Sequence, residues 1–294
     1  MVLSVAPRRG RGKARKSLDL IEASYRILSE IQPASVRAVC YRLFTAKLIE
    51  SMEKRCTNSV GTQLVWAREN GVIPWEWIVD GTRSIERPAT WDSPDQLLRA
   101  CARQYRQDWW KQQQVQLLLC SEKSTVEGTV KPVTDRYGVG FLSLHGYSSA
   151  TSAHDVAELS ISSTNPLVVL YIGDWDPSGL DMSERDLPGR FDRYGGLVEI
   201  RRIALTAEDI ADPTLPDHPA ESKRKDPRYP WFARTYGRQC WELDALNPNV
   251  LRARVEATIR EYIDWSEWER CARVEDAERD SILEVVGAWK GRQP

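Results

Sequence analysis

Apolar positions recur along this chain at two different periods, and the change from one to the other divides it. Over the first third they return every three or four residues. Leu18, Ile21, Tyr25 and Leu28 predict a helix with Ser17 as its N-cap and Pro33 as its break. A second helix is expected from Ser35. In "SVRAVCYRLFTAKLI", Val36, Val39, Cys40, Leu43 and Phe44 form one stripe, which leaves Arg37 and Tyr41 one turn apart on a shared accessible face. A third helix is predicted in "NSVGTQLVWAREN", ended by Gly71. The stretch "IPWEWIVDGTR" then alternates like a short hairpin strand before a turn at Asp80 and Gly81. Three short helices and a β-wing outline a winged-helix, helix-turn-helix domain, expected over residues 17–100. A long helix over roughly 94–113 reads as a connector, and residues 101–114 are assigned to it as a segment between domains.

Beyond it, the apolar residues run together. "VQLLLC" (115–120), "GVGFLSL" (138–144), "PLVVLYI" (166–172) and "GLVEIRRI" (196–203) predict strands, with helices near 124–136 and 148–160 between the first three. Strand and helix in alternation imply an α/β fold with a mostly parallel sheet, and continuously apolar strands imply burial on both faces. The second domain is expected over 115–294, with mostly helical structure from Asn249 to about Trp289.

Two of these strands end in acids. Glu122 follows "VQLLLC" and Ser121, whereas Asp174 and Asp176 follow "PLVVLYI" and Gly173. In an open parallel sheet the functional crevice lies outside the carboxyl ends of the strands, so sheet topology can bring the three carboxylates to one edge. With no His nearby in sequence, and Cys120 belonging to the apolar strand, they are hard oxygen ligands, suited to Mg²⁺ with Mn²⁺ as the alternative. Carboxylates that close raise one another's pKa unless a divalent cation neutralises them. The other reading of "DWDPSG" is ordinary turn and helix-start chemistry, with Asp174 capping backbone.

Composition narrows the classes. The chain has 294 residues, 41% hydrophobic and 28% charged, within the range of globular proteins. No apolar run approaches the ~20 residues that cross a bilayer, and no apolar signal core follows the basic start, so a cytoplasmic, nucleoid-associated protein without membrane partners is expected. The six cysteines form no CxxC pair, which argues against zinc and against a disulfide framework. A net charge of −1 excludes a uniformly basic nucleic-acid binder. Arg8, Arg9, Arg11, Lys13, Arg15 and Lys16 nevertheless crowd residues 1–16, a basic arm that is either solvated and disordered or in contact with phosphate. His145, the aromatics Trp75, Trp77, Trp109 and Trp110, and the loop with Lys223, Arg224, Lys225 and Arg228 have two readings each: nucleic-acid contact, or a structural loop histidine, core and subunit contacts, and a solvated loop respectively, the structural one being favoured for His145 and the tryptophans.

"LLLCSEKSTVEG", followed about 50 residues later by "VVLYIGDWDPSG", resembles a Toprim domain, the Rossmann-like metal-binding fold shared by topoisomerases, bacterial primases and some nucleases. Upstream, "VRAVCYR" resembles the catalytic-tyrosine motif of the topoisomerase VI A subunit and the related meiotic double-strand-break protein, in which a winged-helix domain precedes the Toprim domain. The compact chain is similar to the stand-alone mini-A type of phages and plasmids. "WELDALNPN" resembles the C-terminal part of that family more loosely. The resemblance implies that Tyr41 attacks a DNA phosphodiester to give a 5′-phosphotyrosyl link. It implies that Arg37 and Glu122 assist, that Glu122, Asp174 and Asp176 hold Mg²⁺, and that Lys123 matches the lysine after the Toprim glutamate. It also implies a homodimer on double-stranded DNA, with the tyrosine of one subunit meeting the metal of the other.

Cys40 stands where relatives commonly carry an aromatic residue, and the chain lacks an ATPase signature. Strand passage therefore depends on a separate ATPase B-type subunit, if one exists. Two other readings stay open at this point: a Toprim nuclease using metal-activated water, and a DNA-binding protein without catalysis.

Overall fold

The computed structural model describes residues 13–79, 88–144 and 150–288. Three helices come first: α1 (Arg15–Ile31), α2 (Val36–Thr45) and α3 (Lys54–Glu69). Ser35 caps α2 by accepting from the Ala38 N–H at 3.1 Å. At the end of α3, Gly71 takes φ +70°. That turn lets the N–H of Val72 reach Ala67 O (2.8 Å) and its own N–H reach Arg68 O (3.1 Å), which satisfies two carbonyls the helix leaves open. Leu28, Ile31, Val39, Leu43, Val60, Leu64 and Ile73 fill the space between the helices.

Several sequence expectations change here. α1 starts at Arg15 rather than at a Ser17 cap, so Arg15 and Lys16 form its first turn instead of belonging to an arm that ends at residue 16. On α2 the buried face is Ala38, Val39, Cys40, Tyr41 and Leu43, while Val36 is 37% exposed. Tyr41 is thus buried rather than accessible. Among the described residues "IPWEWIV" forms no hairpin strand, because Pro74 opens a single 3₁₀ turn, Trp75–Trp77, and Ile78 then pairs with Ala34 alone. The Asp80 and Gly81 turn lies outside the described residues, and the three-helix rhythm is seen with no wing strand among the described residues.

The long connector is also shorter than expected. α4 (Pro94–Gln104) ends where Tyr105 takes an extended conformation. Residues 105–109 are drawn onto the last helix by Glu275 and Glu278, which accept from the Gln107 N–H (2.9 Å), Trp109 Nε1 (2.8 Å) and Tyr105 Oη (2.6 Å). Side-chain acceptors there override helical propensity.

The sheet agrees closely with its sequence pattern. In chain order come β1 (Gln116–Ser121), α5 (Glu127–Tyr137), β2 (Gly140–Ser143), α6 (Ala150–Ser162) and β3 (Leu167–Ile172). A bent helix follows, α7 (Pro177–Asp181) and α8 (Leu187–Arg193) joined by a π turn, and then β4 (Val198–Ala204). All four strands are parallel in the order β2-β1-β3-β4. Every residue of β3 is buried. Leu117, Leu119, Val168 and Leu170 pack under α5, whereas Cys120, Val169 and Tyr171 pack under α6 and α8. The chain reverses its direction of winding between β1 and β3, which makes their carboxyl ends the switch point of the sheet.

The remainder closes around that edge. It comprises α9 (Ala207–Ile210), β5 (Asp217–Pro219), α10 (Tyr229–Thr235), β6 (Gln239–Trp241), α11 (Pro248–Glu261) and α12 (Trp265–Ala288). β5 and β6 form a separate antiparallel pair that no periodicity announces. The start of α11 fixes the helical unit to the sheet, because Arg252 donates to Ile31 O (2.8 Å), Gln32 O (3.1 Å) and Pro33 O (3.0 Å).

Close approach at Gly179 positions the helix after β3, since a Cβ there would meet Asp174 O at 2.3 Å. Gly179→Ala is expected to lower stability by about 1–3 kcal/mol through this overpacking. Urea denaturation measures it, and an unchanged midpoint would contradict the close approach.

Candidate functional site

Register brings the acids together. Ser121 of β1 pairs with Ile172 of β3, so Glu122 and Gly173 leave the sheet side by side. Beyond Gly173 the loop is held from three directions. Trp175 exchanges both backbone hydrogen bonds with Trp241 of β6 (2.9 and 3.0 Å), Gly173 is pinned to the end of β4, and Asp176 caps α7 by accepting from the Gly179 N–H at 2.7 Å. Beneath lies Arg202, which donates to the carbonyls of Gly173 (3.2 Å), Asp174 (3.2 Å), Gly179 (2.6 Å) and Leu205 (2.9 Å) and covers the Tyr171 ring at 5.0 Å. The acidic loop is a braced structure, so its carboxylates are held in place before any ligand arrives.

The Trp175–Trp241 bridge also delivers residues that sequence reasoning did not single out. Glu242 and Asp244 follow β6 directly, and the Leu243 N–H between them donates to Asp174 Oδ1 at 2.7 Å. Lys123 stands at the centre. Its Nζ lies 2.9 Å from Asp174 Oδ1, 3.0 Å from Asp244 Oδ2 and 3.3 Å from Glu242 Oε2. Lys223, from the loop after β5, lies 3.1 Å from Asp176 Oδ2.

These groups differ in how they hold protons. Burial, with Asp176 and Asp174 beside it, pushes the Glu122 carboxyl up to about 7. One of its oxygens accepts from Ser178 Oγ at 3.3 Å, and the other, Oε2, is buried without a partner among the described residues. Burial also raises Asp174, against the opposing pull of Lys123. Glu242 goes the other way. Burial works against its ionisation, but Lys123 and Arg37 together hold it down at about 2.

Arg37 and Tyr41 reach this same network. Arg37 donates through Nε to Glu242 Oε2 at 2.8 Å, with a second nitrogen also on that oxygen, and Asp244 Oδ2 lies 3.6 Å away. The Tyr41 ring lies 5.6 Å from the Arg37 guanidinium carbon. Burial first, then Glu242, lifts the phenol above its ordinary range, and Arg37 and Lys123 pull it down less strongly. The carboxylates that weigh most on Tyr41 are therefore Glu242 and Asp244 of its own chain, rather than Glu122, Asp174 and Asp176.

As a metal centre the site fits in its chemistry and is not closed in its geometry. Three hard carboxylates face one edge, and the orphaned Glu122 Oε2 is the kind of atom a cation satisfies. Among the described residues, however, no group of three or more His, Cys, Asp or Glu side chains is arranged to hold a metal ion. Lys123 and Lys223 instead place ammonium groups against Asp174 and Asp176.

Other candidates separate from this edge. Lys13 donates to Gln63 and lies 4.5 Å from the Trp66 ring, and Lys16 lines a groove of about 1300 Å³ with Phe44, Lys47, Leu48 and Arg55. Arg8, Arg9, Arg11 and His145 lie outside the described residues. Trp75 is exposed beneath Arg68, whereas Trp77 packs on Tyr25, and Trp109 and Trp110 pack on Trp268. No helix among the described residues is long and apolar enough to cross a membrane. No family model matches the chain, and no curated protein matches it.

The raised Glu122 pKa has a sign. The folded state binds the proton more tightly than the unfolded chain, so this contribution to stability is complete below pH about 4.5, declines as pH rises toward about 7, and is flat above. In chelator, the stability of the wild type relative to Glu122→Gln is expected to fall between pH 4.5 and 7 by on the order of 3 kcal/mol. Parallel urea titrations of the two proteins give the difference, and equal pH profiles would rule out the buried carboxyl.

Proposed function

We propose that this chain is a Mg²⁺-dependent DNA-cleaving enzyme of the type IIB topoisomerase A kind, a winged-helix domain followed by a Toprim domain. One observation carries the reading. The switch-point edge that gathers Glu122, Asp174 and Asp176 also receives, through Glu242, Asp244 and Lys123, the helix bearing Arg37 and Tyr41. A phenol, a guanidinium, an ammonium and three hard carboxylates at one edge are the groups phosphodiester transesterification needs.

Glu122, Asp174 and Asp176 would hold Mg²⁺, which supplies positive charge against a phosphate. In the reaction the Tyr41 oxygen forms a bond to phosphorus, the bond from phosphorus to the 3′-oxygen breaks, and the phenol proton passes to solvent. Arg37 holds the nonbridging oxygens. Glu122 keeps its proton up to about pH 7 only while no cation is bound; as a ligand it is ionised, and the departing 3′-oxygen then takes its proton from solvent. The phenol itself needs help, because burial keeps it neutral. In this reading a homodimer cuts the two strands of double-stranded DNA in a stagger, in the cytoplasm, and an ATPase subunit, if present, is a separate chain.

The burial of Tyr41 favours one rival, hydrolysis at the carboxylates by water without a covalent link. Supercoiled plasmid with Mg²⁺, resolved under denaturing conditions, separates them. Wild type is expected to give protein-linked 5′ ends, and Tyr41→Phe to lose both cleavage and adduct by at least about 10³-fold. Cleavage that persists in Tyr41→Phe selects hydrolysis. Glu122→Ala combined with Asp174→Ala is expected to abolish either reaction, and a wild type that binds DNA without cutting it leaves a DNA-binding protein.

A further inference from the structure

We infer that Arg37 and Lys123 form a seat for a phosphate oxyanion, and that Glu242 fills this seat as an internal stand-in for the phosphodiester. A single oxygen of Glu242, Oε2, receives two nitrogens of Arg37 and the ammonium of Lys123. Such convergence of guanidinium and ammonium on one oxygen is how proteins hold phosphate as well as carboxylate. The Tyr41 ring borders the seat.

Burial separates the two acids that face these cations. Asp244 has 2% of its side chain exposed and is a fixed anchor, bonded to Lys123 and to Ser35 Oγ. Glu242 is 23% exposed and Arg37 42%, so this part of the network opens to solvent. The backbone at Glu242 is held by the Trp175–Trp241 pairing and by the Leu243 N–H on Asp174. Vacating the seat therefore takes rotation of one side chain and no movement of the loop. An arriving phosphodiester restores the single negative charge that Glu242 withdraws.

The identity of the ligand rests on the DNA-cleavage reading, but the seat does not. Inorganic phosphate is the probe, titrated by calorimetry into the full-length protein in chelator, with no DNA and no Mg²⁺. Glu242→Gln keeps the size of the side chain and removes its charge, and is expected to bind phosphate at least about tenfold more tightly than wild type, the equivalent of one charge-assisted hydrogen bond. Lys123→Met in the Glu242→Gln background, or Arg37→Met where that protein does not fold, is expected to abolish the gain. If Glu242 were only a bridge between the two parts of the chain, Glu242→Gln would lose stability without gaining phosphate affinity. Unchanged or weaker phosphate binding by a folded Glu242→Gln protein, or a gain that survives Lys123→Met, overturns the inference. Where Glu242→Gln does not fold, Glu242→Asp, with its shorter reach, is held to the same comparison. A protein that gains phosphate affinity in this way yet never cleaves plasmid retains the seat and loses the cleavage reading.

Discussion

The ammonium of Lys123 is the group on which the site depends. It is held among Asp174, Asp244 and Glu242, which come from two elements far apart in sequence. Burial works against its charge, and these three carboxylates more than restore it. A buried ion cluster of this kind is costly to desolvate and costly to break, since removing one member leaves the others uncompensated. Lys123 thereby ties the end of β1 to the loop after β3 and to the segment after β6. Through Glu242 it also reaches Arg37 on the helix that carries Tyr41.

Charge and scaffold overlap at the acidic loop. The backbone of the acidic loop is fixed by paired tryptophan backbones, by the Asp176 carboxylate that caps α7, and by the Arg202 guanidinium donating to carbonyls. The side chains carry the ionic pairing. Asp174 and Asp176 each hold a backbone N–H and an ammonium group at once.

The parallel sheet was legible because continuously apolar strands such as "LVVLYI" are buried on both faces, a signal strong enough to place the strands along the chain but not to give their order in the sheet. Glu122, Asp174 and Asp176 were legible as residues just past strand ends. Glu242 and Asp244 were not, because β6 has three residues and pairs partly with a loop, too short a segment for any periodicity. The environment of Tyr41 was misjudged for a related reason: the helical stripe describes packing within its own unit, and the face outside the stripe meets a turn some 200 positions later in the chain. Local chemistry also decided the connector, where Glu275 and Glu278 capture backbone and side chains that a helical pattern assigned elsewhere.

Arg252 has a mechanical consequence. Its guanidinium occupies the carbonyls at the end of α1 and in the turn before α2, and Asn249 takes Glu30 O at 2.8 Å. Swinging the tyrosine helix outward toward a second copy of the chain would strip four acceptors of their donors at once, beyond the loss of the ion pairs at Arg37. The two units are therefore tied at this seam by backbone carbonyls as well as by the Arg37 ion pairs.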